Sequence, residues 1–106
     1  MLQLFYAWAR ATIASLPEGM ESQLVLGQAT RNTTVRLDLE TGYATGRVTC
    51  WENGNFSAEI VDEGSNRQRY ALQGKFDPAQ PIGPQLEIFL ARLGVAGPPI
   101  GEPESK

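Results

Sequence analysis

The N-terminal stretch of the chain is patterned for a helix and the middle for strands. Leu2, Phe5, Ala9, Ile13 and Leu16 recur at three- and four-residue spacing, with Trp8 and Thr12 flanking the same side. Ala7, Ala9, Ala11 and Ala14 favour the same conformation, and Pro17 and Gly19 close it, which predicts a helix from Leu2 to Ser15. The period then changes from 3.6 to 2. Leu24-Val25-Leu26 reads as a first strand ended by Gly27. Val35, Leu37 and Leu39 alternate with Arg36, Asp38 and Glu40, as in a strand with one wet face. Thr41-Gly42 turns the chain into a further strand from Tyr43 to Glu52, in which Gly46 is expected to form a bulge.

Asn53-Gly54 is the strongest turn signal, and its register decides which side chains are buried, because a one-residue slip exchanges the two faces of a strand. A two-residue loop pairs Trp51 with Phe56 and sets Arg47 on the face of Ile60. A three-residue loop, Asn53 to Asn55, aligns Val48, Cys50, Phe56, Ala58 and Ile60 on one side and leaves Arg47, Thr49, Trp51, Ser57 and Glu59 outside. The second buries more apolar surface and is the expected one. A strand from Arg67 to Phe76 follows, with Tyr70 and Leu72 expected inward. Pro81 and Pro84 then open a second helix with the stripe Leu86, Phe89, Leu90 and Leu93, stopped by Gly94. The order predicts an α+β fold: an antiparallel meander of four to five strands with an N-terminal and a C-terminal helix on one face. Residues 1–96 are expected to form one domain, and the Pro- and Gly-rich stretch 97–106 a loose tail.

Composition narrows the chemistry. The 106 residues include no histidine and one cysteine, so neither a His-based catalytic pair nor a Cys/His zinc site can be assembled within the chain. No internal disulfide is possible, no apolar run is long enough to span a bilayer, and the N-terminus lacks a secretory signal pattern, so a soluble, cytoplasmic protein without cofactor or metal is expected. Gly42, Gly46 and Gly54 occupy hairpin and strand positions and form no phosphate-binding loop. Cys50 falls among core positions and reads as a structural thiol.

The net charge is −3, and it is uneven. Between Glu18 and Glu63, eight acidic residues oppose only Arg31, Arg36 and Arg47, a local balance of −5. This disfavours nucleic acid, which demands concentrated positive charge, and suits either a solvated surface or a patch that steers a basic partner. Glu59, Asp62 and Glu63 cluster at one strand end, where a solvated turn is the plainer reading than an acid/base pair. Trp51 is expected on the wet face near Glu52 and Glu59; an aromatic ringed by charge has the composition of an interface hot spot, unless it packs on a loop or on the first strand.

Leu37-Asp38-Leu39-Glu40, Gly46-Arg47-Val48-Thr49-Cys50-Trp51-Glu52-Asn53-Gly54 and Ala58-Glu59-Ile60-Val61-Asp62 together resemble the central signature of the TriTu-type immunity proteins. The resemblance implies a bacterial cytoplasmic protein without enzymatic activity. Such a protein would bind, one to one, the C-terminal domain of a cognate toxin delivered between competing cells. The toxin implied is an ADP-ribosyltransferase acting on elongation factor Tu, neutralised by occlusion of its NAD-binding cleft. On that reading Trp51 anchors, and Glu52, Glu59, Asp62 and Glu63 supply charge pairing. A secretion adaptor that escorts an effector without inhibiting it is the alternative.

Overall fold

The computed structural model describes residues 1–28 and 33–95, so the expected tail at 97–106 lies outside the described residues. Helix α1 (Leu2–Ala14) precedes β1 (Glu21–Gln28), β2 (Thr33–Glu40), β3 (Ala44–Trp51), β4 (Asn55–Asp62) and β5 (Gln68–Lys75); two short helices, α2 (Ile82–Gln85) and α3 (Glu87–Leu93), follow. The five strands form one antiparallel meander in chain order. The α+β architecture expected from the hydrophobic pattern is the one observed, with the helices packed over one face of the sheet.

Alternation along the strands builds the core. Val35, Leu37 and Leu39 of β2, Ala44, Val48 and Cys50 of β3, and Phe56, Ala58 and Ile60 of β4 are all buried beneath the helices. Phe56 stacks on Phe76 at 4.1 Å between ring centroids, and Phe76 in turn meets Phe5 of α1 at 5.9 Å. These rings tie the N-terminal helix to the far side of the sheet. On α1 the innermost residues are Phe5, Ala9 and Thr12, whereas Leu2 and Ile13, and Leu16 just past the helix, are half-buried. Threonine can take this central place because its hydroxyl donates to the Trp8 carbonyl at 2.9 Å and carries no unmet polar group inward.

Several expectations need correcting. The β3–β4 loop has three residues, as expected, but they are Glu52, Asn53 and Gly54, one position upstream of Asn53–Asn55. Cys50 faces Phe56 and Val48 faces Ala58, so the inward set is unchanged by the shift. Only Gly54 takes a positive φ (+93°), its N–H donating to the Trp51 carbonyl at 2.9 Å; a positive φ after the turn is where glycine is cheapest.

Gly46 is not a bulge. It pairs regularly with Leu39 and Ile60, and its missing side chain makes room for α3: a Cβ there would lie 2.7 Å from Leu93 Cδ2 and 2.9 Å from Phe89 Cζ. The bulge instead falls on β5, where Ile60 faces Tyr70 but Val61 faces Gln68, leaving Arg69 as the extra residue. Leu72 shares the helical side but remains 40% exposed, whereas Tyr70, two residues earlier on the same edge strand, lies against Phe89 and Arg92 of α3. The second helix is broken at Leu86 (φ −114°, ψ 17°) into α2 and α3; the break keeps Ile82, Leu86, Phe89, Leu90 and Leu93 all buried, and Gly94 supplies the left-handed stop.

Replacing Gly46 by valine should destabilise the fold by roughly 1–3 kcal/mol, since Phe89 and Leu93 are packed on both sides of the new methyls. A urea midpoint unchanged from wild type would show that α3 can move away freely.

Candidate functional site

The described helices cover one face of the sheet and none of them covers the other, whose composition the pairing register fixes. Across it run Gln23, Asp38, Arg47, Glu59 and Ala71 in one row, and Val25, Arg36, Thr49, Ser57 and Gln73 in the next. Asp38 is the centre of this face. It is only 8% exposed on a side that no described helix covers, because two arginines lie over it. Arg47 Nε donates to Asp38 Oδ1 at 3.0 Å and Arg47 Nη2 to Oδ2 at 3.4 Å, a two-pronged geometry, while Arg36 Nη2 reaches Oδ2 at 3.2 Å. The hydrogen bond it donates to Asp38 raises the Arg47 guanidinium above its ordinary value against the opposing cost of burial, and the Asp38 and Glu59 charges add to the rise. Glu59 also accepts from Gln68 Nε2 at 3.1 Å, a contact made possible by the β5 bulge, which brings Gln68 opposite Val61 on this face.

Arg36 Nε is buried without a partner in this arrangement. An unmet buried donor costs about 1–3 kcal/mol, so the Arg36 side chain is the least settled member of the array. Charge on the face thus alternates, carboxylate against guanidinium, and the array is nearly neutral at its centre. Its uncompensated acids lie at the β1–β2 margin, where Glu21, Ser22, Gln23, Asp38 and Glu40 line an open depression of about 260 Å³.

Of the five candidate partner-binding residues, the structure sets Trp51 and Glu52 at one end of the β3–β4 ribbon, Asp62 and Glu63 at the other, and Glu59 between them. Trp51 lies half-buried on the open face opposite Thr34, and Glu52 follows it, exposed, in the β3–β4 loop. Glu59 sits on the same face beside Arg47. Asp62 pairs with Ala44 at the opposite end of the β3–β4 ribbon, roughly 23 Å from Trp51 at strand rise, and on the helical side of the sheet. Its carboxylate is held by Arg69 Nε at 3.1 Å. Glu63 stands at that same far end, accepting from the Thr45 hydroxyl at 3.4 Å, near the exposed ring of Tyr43.

The Arg36–Asp38–Arg47 array is the feature that strand-by-strand reading missed. Arg36 and Asp38 are two apart and so share a face, and the β2–β3 loop length sets Arg47 opposite Asp38; counting across the Thr41-Gly42 turn would have found the pair.

Catalytic and metal chemistry find little material here. Among the described residues no three carboxylates or cysteines come together as metal ligands, and no described helix is long and apolar enough to cross a membrane. Cys50 is fully buried, and desolvation pushes its thiol up to about 11.

The chain matches the family model for Immunity protein TriTu over residues 3–91, which includes every strand and most of the helical layer, and it belongs to that family. No curated protein matches it.

Two outcomes follow from this geometry. Asp38→Asn should lower stability by about 1–3 kcal/mol by leaving two guanidinium groups without their shared carboxylate, while Glu40→Gln, exposed, should stay within about 0.5 kcal/mol of wild type. Equal urea midpoints for the two variants would refute the bridging role of Asp38. Cys50 should resist thiol reagents at pH 8 until the protein unfolds. Because its folded pKa lies above the unfolded value, the unfolded chain releases the proton first, and stability should fall as pH rises from about 9 towards 11. That loss should be absent in Cys50→Ala.

Proposed function

We propose that this TriTu immunity protein neutralises a cognate bacterial toxin by docking the open face of its sheet over the toxin's NAD-binding cleft. The toxin is taken to be the C-terminal ADP-ribosyltransferase domain of a polymorphic effector that modifies elongation factor Tu, and the encounter to occur in the cytoplasm of the protected cell. The protein acts as a binder, one copy per toxin, and turns over no substrate.

The observation that carries this reading is a half-buried tryptophan on a sheet face that the helices leave uncovered, in a chain of an immunity family. A face with nothing to bury would be expected to present only polar groups. Instead Trp51 offers apolar area at one end of a charge-alternating array, a combination that suits an anchor surrounded by orienting polar contacts. Arg36, Asp38 and Arg47 are already ordered by their own ion pairs, and Glu59 by the hydrogen bond it accepts from Gln68. Such an array loses little side-chain freedom on binding and favours a partner with matching alternation. Glu52 is assigned to direct charge pairing beside Trp51, and Glu59 to charge pairing farther along the same face, roughly 13 Å away at strand rise. Asp62 and Glu63, at the far end of the ribbon, act only through the longer-range field.

Neutralisation should saturate at one equivalent of protein per toxin, and an escort that does not inhibit would leave the toxin active at any ratio. Trp51→Ala should weaken binding by about 2 kcal/mol or more, close to 30-fold in Kd, with an unchanged circular dichroism spectrum. Glu52→Lys combined with Glu59→Lys should slow association more than it speeds dissociation, an effect that fades as salt is raised. Full affinity in both variants would place the docking surface elsewhere.

A further inference from the structure

The two edges of the sheet are not equivalent. An edge strand presents a row of free N–H and C=O groups, and proteins usually blunt such edges with bulges, prolines or basic side chains. Strand β5 is blunted: it carries the Arg69 bulge, is approached through Arg67, and ends at Lys75. Strand β1 is not. Glu21–Gln28 pairs with β2 over its whole length without a register shift, and it contains no proline, lysine or arginine. At its middle stand Leu24, Val25 and Leu26, and Leu26 is 66% exposed on the helical side, beyond the reach of helices that pack on β2, β3 and β4. No other described element pairs with this edge.

We propose that β1 pairs antiparallel with β1 of a second copy, about a two-fold axis through Val25, joining two five-stranded sheets into one continuous sheet. An axis normal to the sheet requires facing residues to lie on the same side, so only same-parity registers are possible. Centred on Val25, the pairing sets Leu24 against Leu26 twice on the helical side and Val25 against itself on the open side. Gln23 then faces Gly27. Centred on Leu24, it would waste Leu26 on Ser22. Charge also suits a second copy: Glu21 is the strand's only charged residue, and the two copies of it lie roughly 27 Å apart in this register. That is several times the Debye length of about 8 Å at physiological salt, so self-pairing incurs little repulsion despite the net charge of −3. A single strand-to-strand joint belongs with the small interfaces, below about 1,200 Å², so the dimer is reversible and concentration-dependent. Both open faces remain accessible, and the proposal stands independently of the toxin reading.

The test uses the full chain with Val25→Cys. Facing residues of an antiparallel pair have Cα atoms about 4.5–5.5 Å apart, within disulfide range, and Cys50 is buried, so position 25 supplies the accessible thiol. Mild oxidation should give a covalent dimer efficiently from Val25→Cys and poorly from Gln73→Cys on β5. Sedimentation of the wild type from about 5 µM to about 500 µM should show a monomer–dimer equilibrium, which Leu26→Lys weakens at least tenfold and Leu72→Lys leaves unchanged. Equal cross-linking from both cysteine variants, more efficient cross-linking from Leu24→Cys, or a wild type monomeric throughout the range would overturn the proposal. Protection of β1 amides only in a complex with toxin would do so as well, by assigning the edge to a strand of that partner.

Discussion

A slip of one residue between β3 and β4 would set the inward face of one strand beside the outward face of the other, so that either Val48 and Cys50 or Phe56, Ala58 and Ile60 turned to solvent and Arg47 or Glu59 was pressed into the core. At a cost of about 1.5–3 kcal/mol for each large apolar side chain exposed, before the charges are counted, the alternative is closed. The three-residue loop Glu52–Gly54, with its one positive φ at Gly54, locks the permitted register locally, and the packing of Phe56 on Phe76 locks it from the core side. Once this pair is set, the neighbouring strands inherit their facing. The helical layer then has one face to cover, and everything polar in the alternation must gather on the other.

That division explains why Asp38 is buried where no described helix covers it. A carboxylate in the middle of a sheet face is crowded by its cross-strand neighbours, and here both Arg36 and Arg47 fold over it. The exchange of water for two guanidinium groups is worth little in net stability but fixes the direction of the side chains. A face organised in this way is preorganised for recognition, and the proposed docking of a toxin uses order that the free protein already has. The absence of a side chain at Gly46 serves the opposite face in a comparable manner, by letting α3 approach β3 closely enough to seal Phe89 and Leu93.

Much of this was legible from the residues. Period-2 alternation in Val35–Leu39 and the choice between two hairpin registers gave the strands and their inward faces, because the hydrophobic effect acts on parity. Positions that depend on the third dimension were less readable. Leu72 has the right parity for the core yet stays 40% exposed. Gly46 resembles a bulge until the helix that fills its place is known. Thr12 looks polar, but its hydroxyl is satisfied within the helix. Trp51 and Glu59 share a face because of strand parity and Glu52 lies in the loop beyond β3, whereas Asp62 and Glu63, close in sequence to Glu59, are carried to the other end of the ribbon by the extended rise of β4. Proximity along a strand is a poor guide to a common site.

The family match gives the protein an immunity role, and the open face is where the account locates it. The most direct test is the rate of hydroxyl-radical oxidation at Trp51, compared between the free protein and its saturated complex with the toxin. Trp8, on the helical side, serves as the internal reference. The account predicts strong suppression at Trp51 with Trp8 unchanged; equal oxidation of Trp51 in both states, or protection confined to Trp8, would contradict it.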